Sequence, residues 1–597
     1  MFLPAILFLI ILMLFFYLGS RKPKGLPPGP RWWPILGSTL EVIRLRKQTG
    51  YLYKTLSVLS KKYGPVFAVK IGIDTIVFLN DYNSIRSMLT NEDCDGRPTG
   101  HFYKMRTQGK SQGKICVLVT DGRLWVEQRR FVLRHLREFG FGRTTMASLI
   151  EEEAQHLVNH FKRLLLSANN PVSESRQQIK SCSNNNGQIY QLISDTNINN
   201  TMMTHEKDNI ESDTKKRKNE GMTIEDAYVK ADDYDEVRKI SQSSGMIISM
   251  HDAFGIPVLN TLWRMMTGKR YNPDDAELKY LQKIATQLLK DVDMVGSTFS
   301  YFPILRYLAP EMSGYKSFVA THERIWRFLK KELENHKTNI NPEKPKDLMD
   351  AYINILQTES YSKTFSGMLI SKINIPIKDA ITSIIFISEQ QLLAICLDLF
   401  MAGSETTSKA LSFGFLYIVL NPDVQRKAQE EIDLIIGHKQ FPRLSDRVRM
   451  PYNDAIVLES VRMFMGRTMG IPHRALRDTY ITGYRIPKVN ENTMIVPNFN
   501  GVLMNNFWKD PEVFRPERFI NSDGKISIPD QYLPFSFGKH RCMGEGLAKS
   551  NIFVITTTLL QTFRFSVVPG DKKPSTEIVD GVTAGPKPFR VLVTPRI

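Results

Sequence analysis

The chain has 597 residues, 42% of them hydrophobic and 23% charged, ample for one large core or several domains. Lys plus Arg outnumber Asp plus Glu by 79 to 61, a formal net charge of +18; this suits nucleic acid, an anionic membrane surface or an acidic protein partner, and the lack of any nucleic-acid motif sets the first aside. The five cysteines, Cys94, Cys116, Cys182, Cys396 and Cys542, include no C-x-x-C pair, which argues against a zinc site or a redox dithiol, and an odd, sparse set fits a reducing compartment.

In chain order, Met1 to Leu18 carries no charge and is about long enough to cross a bilayer. Arg21, Lys22 and Lys24 follow directly, which places the remainder on the cytoplasmic side. A cleaved signal peptide would need a basic n-region, which this segment lacks. Residues 1–20 are therefore expected to be a transmembrane anchor. Residues 21–37, basic and then rich in proline, read as a stiff hinge. Residues 38–597 remain for the globular body.

Val66 to Gly72 and Thr75 to Leu79 read as a strand pair. Helical periodicity then predicts helices over Arg123–Leu136, Ile150–Leu166, Ala276–Val292, Lys316–Asn335, Gln390–Leu420, Asp423–Ile436 and Asn453–Met463. Short strands are expected between Thr479 and Pro497. The fold class is thus mostly α with minor β. Two stretches break the pattern. Residues 167–244 are polar, charged and aperiodic and read as a disordered insert. Residues 367–388 form an anomalous insert, and an unpatterned loop of that length is foreign to a compact domain. Without both, roughly 500 residues remain, the size of one large domain.

The residues that carry chemistry gather toward the C-terminus. In Pro534–Ala548 an apolar entry leads to Gly538, then Cys542, then Gly544, and a helix follows. A cysteine at a helix N-terminus meets backbone N–H groups and a dipole that favour the thiolate and lower its pKa. Gly538 and Gly544 allow a tight turn and a close approach to a flat ligand. Upstream, Ala402-Gly403-Ser404-Glu405-Thr406-Thr407 puts two small residues beside a carboxylate and a hydroxyl. Glu459 and Arg462 share a helix face, as do Trp125 and Arg129.

Together these segments resemble the cytochrome P450 family over nearly the whole chain outside the two inserts. Phe535, Gly538, Cys542 and Gly544 match its cysteine-ligand signature, F-x-x-G-x-R-x-C-x-G. One position departs: the arginine two before the cysteine is His540, with Arg541 next to it. Either His540 takes the propionate-binding role or Arg541 substitutes. The anchor, hinge and Trp125–Gly142 run resemble the microsomal branch of steroid and drug hydroxylases. Lys539-His540-Arg541 with Met543-Gly544-Glu545 resembles arthropod developmental members.

The resemblance implies a single large haem-binding domain of P450 fold behind the anchor, with haem b (iron protoporphyrin IX) as cofactor. Cys542 would be the iron ligand, and Trp125, Arg129, His473, His540, Arg541 and Cys542 would bind the cofactor. Ala402 and Gly403 would leave room for dioxygen, and Glu405 and Thr406 would relay protons as the catalytic pair. Glu459, Arg462 and Arg518 would form a structural cluster supporting the cysteine loop. The implied reaction inserts one atom of dioxygen into a lipophilic substrate such as a steroid or fatty acid. Electrons would come from NADPH through NADPH–cytochrome P450 reductase, with cytochrome b5 as a further partner, at the cytoplasmic face of the endoplasmic reticulum membrane. Arg130, Arg134 and Arg137 with Lys539 and Arg541 would make the basic dock for an acidic reductase; the alternative is a solvated basic face. Two rival functions stand beside this one: a peroxide isomerase of the same fold, which needs no reductase, and a membrane-tethered haem protein made inactive by the inserts.

Overall fold

The computed structural model describes residues 13, 14, 16, 19–107, 117–169, 245–357, 388–488 and 493–596. Most of the expected anchor, residues 170–244 and residues 358–387 lie outside the described residues. Among the described residues no helix is long and apolar enough to cross a membrane.

The body is mostly helical. At its centre runs α10 (Glu389–Leu420), buried over almost all of Gln391–Phe400 and Thr407–Val419. A helix apolar on every side belongs in the middle of a large domain. It starts where Ser388 accepts a hydrogen bond from the Gln391 N–H at 3.1 Å, an N-cap that satisfies one orphan donor. Packed on α10 are α6 (Gly255–Thr267), α8 (Tyr315–Asn339), α12 (Pro451–Met465) and α13 (Glu545–Thr562). Outside them, α13 meets α5 (Thr144–Asn169) and α11 (Pro422–Ile435). The α7 helix (Ala276–Asp291) packs on α8.

The minor β part ties distant chain segments together. β1 (Val66–Ile71) and β2 (Asp74–Leu79) form an antiparallel pair, with Val66 opposite Leu79, and β6 (Thr493–Pro497) adds in parallel to β2. β3 (Met246–Ser249), β10 (Arg590–Pro595) and β7 (Phe563–Ser566) make a second sheet with β10 in the centre. Two small pairs complete the set, β4 (Thr479–Ile481) with β5 (Tyr484–Ile486), and β8 (Ile578–Val579) with β9 (Gly585–Pro586).

The seven expected helices are all present, each within a few residues except α5, which starts at Thr144, six residues early. α5 also runs on to Asn169, so the 167 boundary of the first insert falls inside a helix. Several helices escape the periodicity argument: α1 (Thr39–Thr49), α2 (Leu52–Tyr63), α3 (Tyr82–Thr90), α6 and α9 (Leu348–Gln357). α1 buries only Thr39 and Val42 and so shows no apolar stripe, whereas α6 is buried nearly all round and shows no polar one.

Candidate functional site

The Cys542 loop is a short closed turn. Its backbone N–H bonds the Phe535 carbonyl at 2.9 Å, and that of Arg541 bonds Gly538 at 3.2 Å. Gly538 adopts φ +70°, and a Cβ there would sit 2.4 Å from the Leu89 carbonyl at the end of α3. Its glycine is therefore required by the turn and by protein packing, not by a ligand. Cys542 has accessible surface although protein surrounds it deeply, so that surface faces an interior cleft. Burial raises the thiol's pKa above its ordinary value; the Gly544 N–H hydrogen bond, Arg129 and Arg541 oppose this without overcoming it. The expected lowering is thus reversed in the protein alone, because desolvation outweighs the helix terminus.

Beside the loop lies a cluster of basic and aromatic groups, with Trp125 and His473 buried and Arg129 half-buried. On α4 (Gly122–Glu138) the Arg129 guanidinium lies 5.5 Å from the Trp125 ring centroid, and its Nη2 donates to the Arg541 carbonyl at 2.6 Å. The His540 ring lies 4.1 Å from Trp125 and meets His473 edge-on at 5.3 Å. His540 Nε2 lies 3.1 Å from the Asp95 carbonyl oxygen and His473 Nδ1 lies 2.8 Å from that of Cys94. Each of these nitrogens must donate, since a carbonyl only accepts. Burial and then Arg97 push the His540 pKa down to about 3. The same two causes hold His473 well below the ordinary histidine range. Both rings are neutral here.

Arg541 points elsewhere: its side chain is 60% exposed and pairs with Glu545 at 2.7 Å. The structure therefore brings Trp125, Arg129, His473 and His540 together around the Cys542 loop and leaves the Arg541 guanidinium outside.

Arg97 is the residue that sequence reasoning missed. It is only 5% exposed, and burial pushes its pKa down to about 10, so it remains a cation near neutrality. Its Nη1 donates to the Pro472 carbonyl at 3.0 Å, while its Nε has no partner and no carboxylate pairs with it among the described residues. A buried guanidinium without a counter-ion is costly. The buried Arg97, the half-buried Arg129, a thiol with accessible surface and an aromatic wall fit a flat dianion with a metal at its centre. Arg97 is placed by the Gly96–Arg474 backbone bridge, a contact across most of the chain that leaves no local signal.

Across α10, Thr406 Oγ1 donates to the Ala402 carbonyl at 2.7 Å, one turn back. Ala402 is exposed on an otherwise buried helix, so it faces the cleft. Gly403 does not: a Cβ there would sit 2.4 Å from Leu262 Cδ2 of α6. The space its missing side chain leaves is filled by helix packing, which corrects the expectation of room for dioxygen at that residue. Glu405 Oε2 accepts from Thr286 Oγ1 at 3.0 Å, and Oε1 lies 3.5 Å from Lys409 Nζ. Two turns earlier, Asp398 accepts from Arg106 at 2.9 Å and from the N–H groups of Val117 and Leu118 at 2.9 and 2.7 Å.

The expected support cluster forms. Glu459 and Arg462 are fully buried and bidentate at 2.7 and 2.8 Å. Arg518 Nε reaches Glu459 at 3.3 Å, and the Arg462 guanidinium also bonds the carbonyls of Leu503 and Pro511. Tyr532, at the entry to the cysteine loop, donates to the Leu458 carbonyl of α12 at 3.0 Å, which links the loop to this cluster.

The family model described as Cytochrome P450 matches residues 27–184 and 229–593. The chain is 38% identical over 596 residues to "Probable cytochrome P450 303a1" of Drosophila melanogaster, covering 99% of this chain and 98% of that protein. It is 32% identical over 593 residues to "Farnesoate epoxidase" of Bombyx mori, covering 99% and 98%, and 27% identical over 587 residues to "Cytochrome P450 2J1" of Oryctolagus cuniculus, covering 97% and 93%. With the sulfur, the buried Arg97 and the central helix in place, these matches show that the chain belongs to the cytochrome P450 family and is a haem b monooxygenase.

Proposed function

We propose that Cys542 is the axial ligand of the haem and that Arg97, Arg129 and the Trp125 N–H hold its propionates, with His473 and His540 packing the same wall. The observation that carries this is the buried Arg97 guanidinium, which no carboxylate pairs with among the described residues, together with the half-buried Arg129 beside the Cys542 loop. The haem supplies dioxygen activation; the chain's residues shape the cleft and manage protons. Thr406 and Glu405 are the proton-handling pair, held respectively by the Ala402 carbonyl and by Thr286 with Lys409.

The substrate is lipophilic, and farnesoate, named in one relative, is the first to try. Electrons come from NADPH through a reductase that docks on the basic face of α4 near Lys539, with cytochrome b5 as a second donor. A membrane location is supported by an apolar surface. Trp33, Ile35, Leu40 and Ile43 are exposed beside Ile73, and the Ile73 N–H bonds the Tyr301 carbonyl at 3.0 Å. That contact brings in Ile304, Tyr307, Leu308 and Met312, the last 91% exposed. Such a patch on a folded domain marks an interaction surface, and it lies beside the segment that follows the uncharged N-terminus. The endoplasmic reticulum, with the body on the cytoplasmic face, is the compartment proposed.

The test is reconstitution with reductase, NADPH, farnesoate and labelled dioxygen. One labelled oxygen atom in the product, dependent on NADPH, is expected. Turnover of an organic hydroperoxide with no need for NADPH or reductase would favour the isomerase reading instead.

A further inference from the structure

Lys409 is a lysine in an unusual place. It lies on α10, one turn beyond Glu405, and is 8% exposed. Lysines are almost never buried to this degree without a partner, because desolvating an ammonium is costly. Its partner is Glu405 at 3.5 Å, itself nearly dry. The fold makes room for this side chain: a Cβ on Gly585 of β9 would come within 3.2 Å of Lys409 Cδ and 3.3 Å of Cε. The other Glu405 oxygen is taken by the Thr286 hydroxyl of α7 at 3.0 Å. Both oxygens are thus held from separate elements. The ammonium is also within electrostatic reach of Asp252, an exposed carboxylate bonded to His251, which puts solvent close behind it.

We infer that Lys409 is a positioning residue for the oxygenation reaction: its ammonium fixes the Glu405 carboxylate and stabilises it after a proton has left. This rests on the reading of Glu405 and Thr406 as the proton-handling pair. Neighbouring residues on a helix do not face one another, so the proton passes from the Glu405 carboxyl to cleft water hydrogen-bonded to the Thr406 hydroxyl. The O–H bond of the carboxyl breaks and the carboxylate remains beside Lys409. A proton from solvent on the Asp252 side then restores it, and no electron moves.

The experiment uses full-length, haem-loaded protein with reductase and NADPH, with and without farnesoate as probe. Hydrogen peroxide released per NADPH, and NADPH consumed per dioxygen, report whether protons reach the cleft in time. The reduced carbon-monoxide difference spectrum reports intact ligation. Lys409→Met should keep the spectrum and raise the peroxide share severalfold. Lys409→Arg should return it toward the parent value. The double variant Lys409→Met/Glu405→Gln should be no worse than Glu405→Gln alone, because both changes remove the same interaction. If Lys409→Met fails to load haem, Lys409→Gln carries the same test. A peroxide share unchanged by loss of the lysine but raised in Glu405→Gln overturns this inference and leaves the Glu405 reading standing. A share unchanged in both overturns the Glu405 reading and the inference with it.

Discussion

At Cys542 two local fields oppose each other. The glycine-bounded turn presents a helix N–H to the sulfur, while burial penalises the thiolate and prevails in the protein alone. A bound metal reverses that balance, since a coordinating thiol is deprotonated outright. Around it the charges divide unexpectedly. The guanidinium of Arg541 faces solvent, His540 is neutral, and the buried cation is Arg97. Replacing Arg97 by Met should weaken haem retention by about 3 kcal/mol, or roughly a hundredfold, because a propionate loses a buried partner. Arg541→Ala should stay within about 0.5 kcal/mol of the parent. Haem content after dialysis against apomyoglobin checks both. Cys542 was legible in the sequence because its signals are local: a glycine spacing and a helix start. Arg97 was not, because the distant Gly96–Arg474 backbone bridge positions it.

The elements show the same division between local and distant information. α10 and α12 were readable from their helical pattern of apolar residues. α1 and α6 were not, one too exposed and the other too buried to show a period. The Glu459–Arg462–Arg518 cluster was anticipated only through resemblance, since an E-x-x-R pair alone is common on surfaces; full burial with every charge hydrogen-bonded makes it structural. Another buried ion pair was not anticipated at all. His336 of α8 sits 3.2 Å from Asp347, and its ring nitrogens also face the carbonyls of Glu332 and Thr267 at 2.7 and 3.2 Å. Both nitrogens must donate, so the ring is an imidazolium. Burial opposes that charge, but the Asp347 hydrogen bond and charge win and raise the pKa to about 9. The folded value lies above the ordinary 6.5, so this stabilisation is complete below about pH 6.5 and is lost as pH rises through 9. It amounts to a few kcal/mol. Thermal midpoints between pH 6 and 10 should fall more steeply toward alkaline pH in the parent than in His336→Gln. Parallel curves would contradict the assignment.

At the scale of the molecule, the sequence conveyed the class and the order of landmarks, because these are carried by helix patterning and by motifs in register. It did not reveal the surface on which residues 33–43, 73 and 304–312 meet, since that patch joins segments far apart in the chain. If this surface rests on a membrane, removing residues 1–20 should reduce but not abolish co-sedimentation with anionic phospholipid vesicles. Adding Leu308→Asp and Met312→Asp should lower it further. A chain without residues 1–20 that leaves the vesicles entirely would assign all attachment to the N-terminus.

The most direct measurement of the central claim is the reduced carbon-monoxide difference spectrum of the purified protein and its cysteine variants. A thiolate-bound haem gives a strongly red-shifted Soret band. The account expects that band in the parent and in Cys396→Ala, and its loss in Cys542→Ala. A protein that takes up no haem, or one whose band survives the loss of the Cys542 thiol, would contradict it.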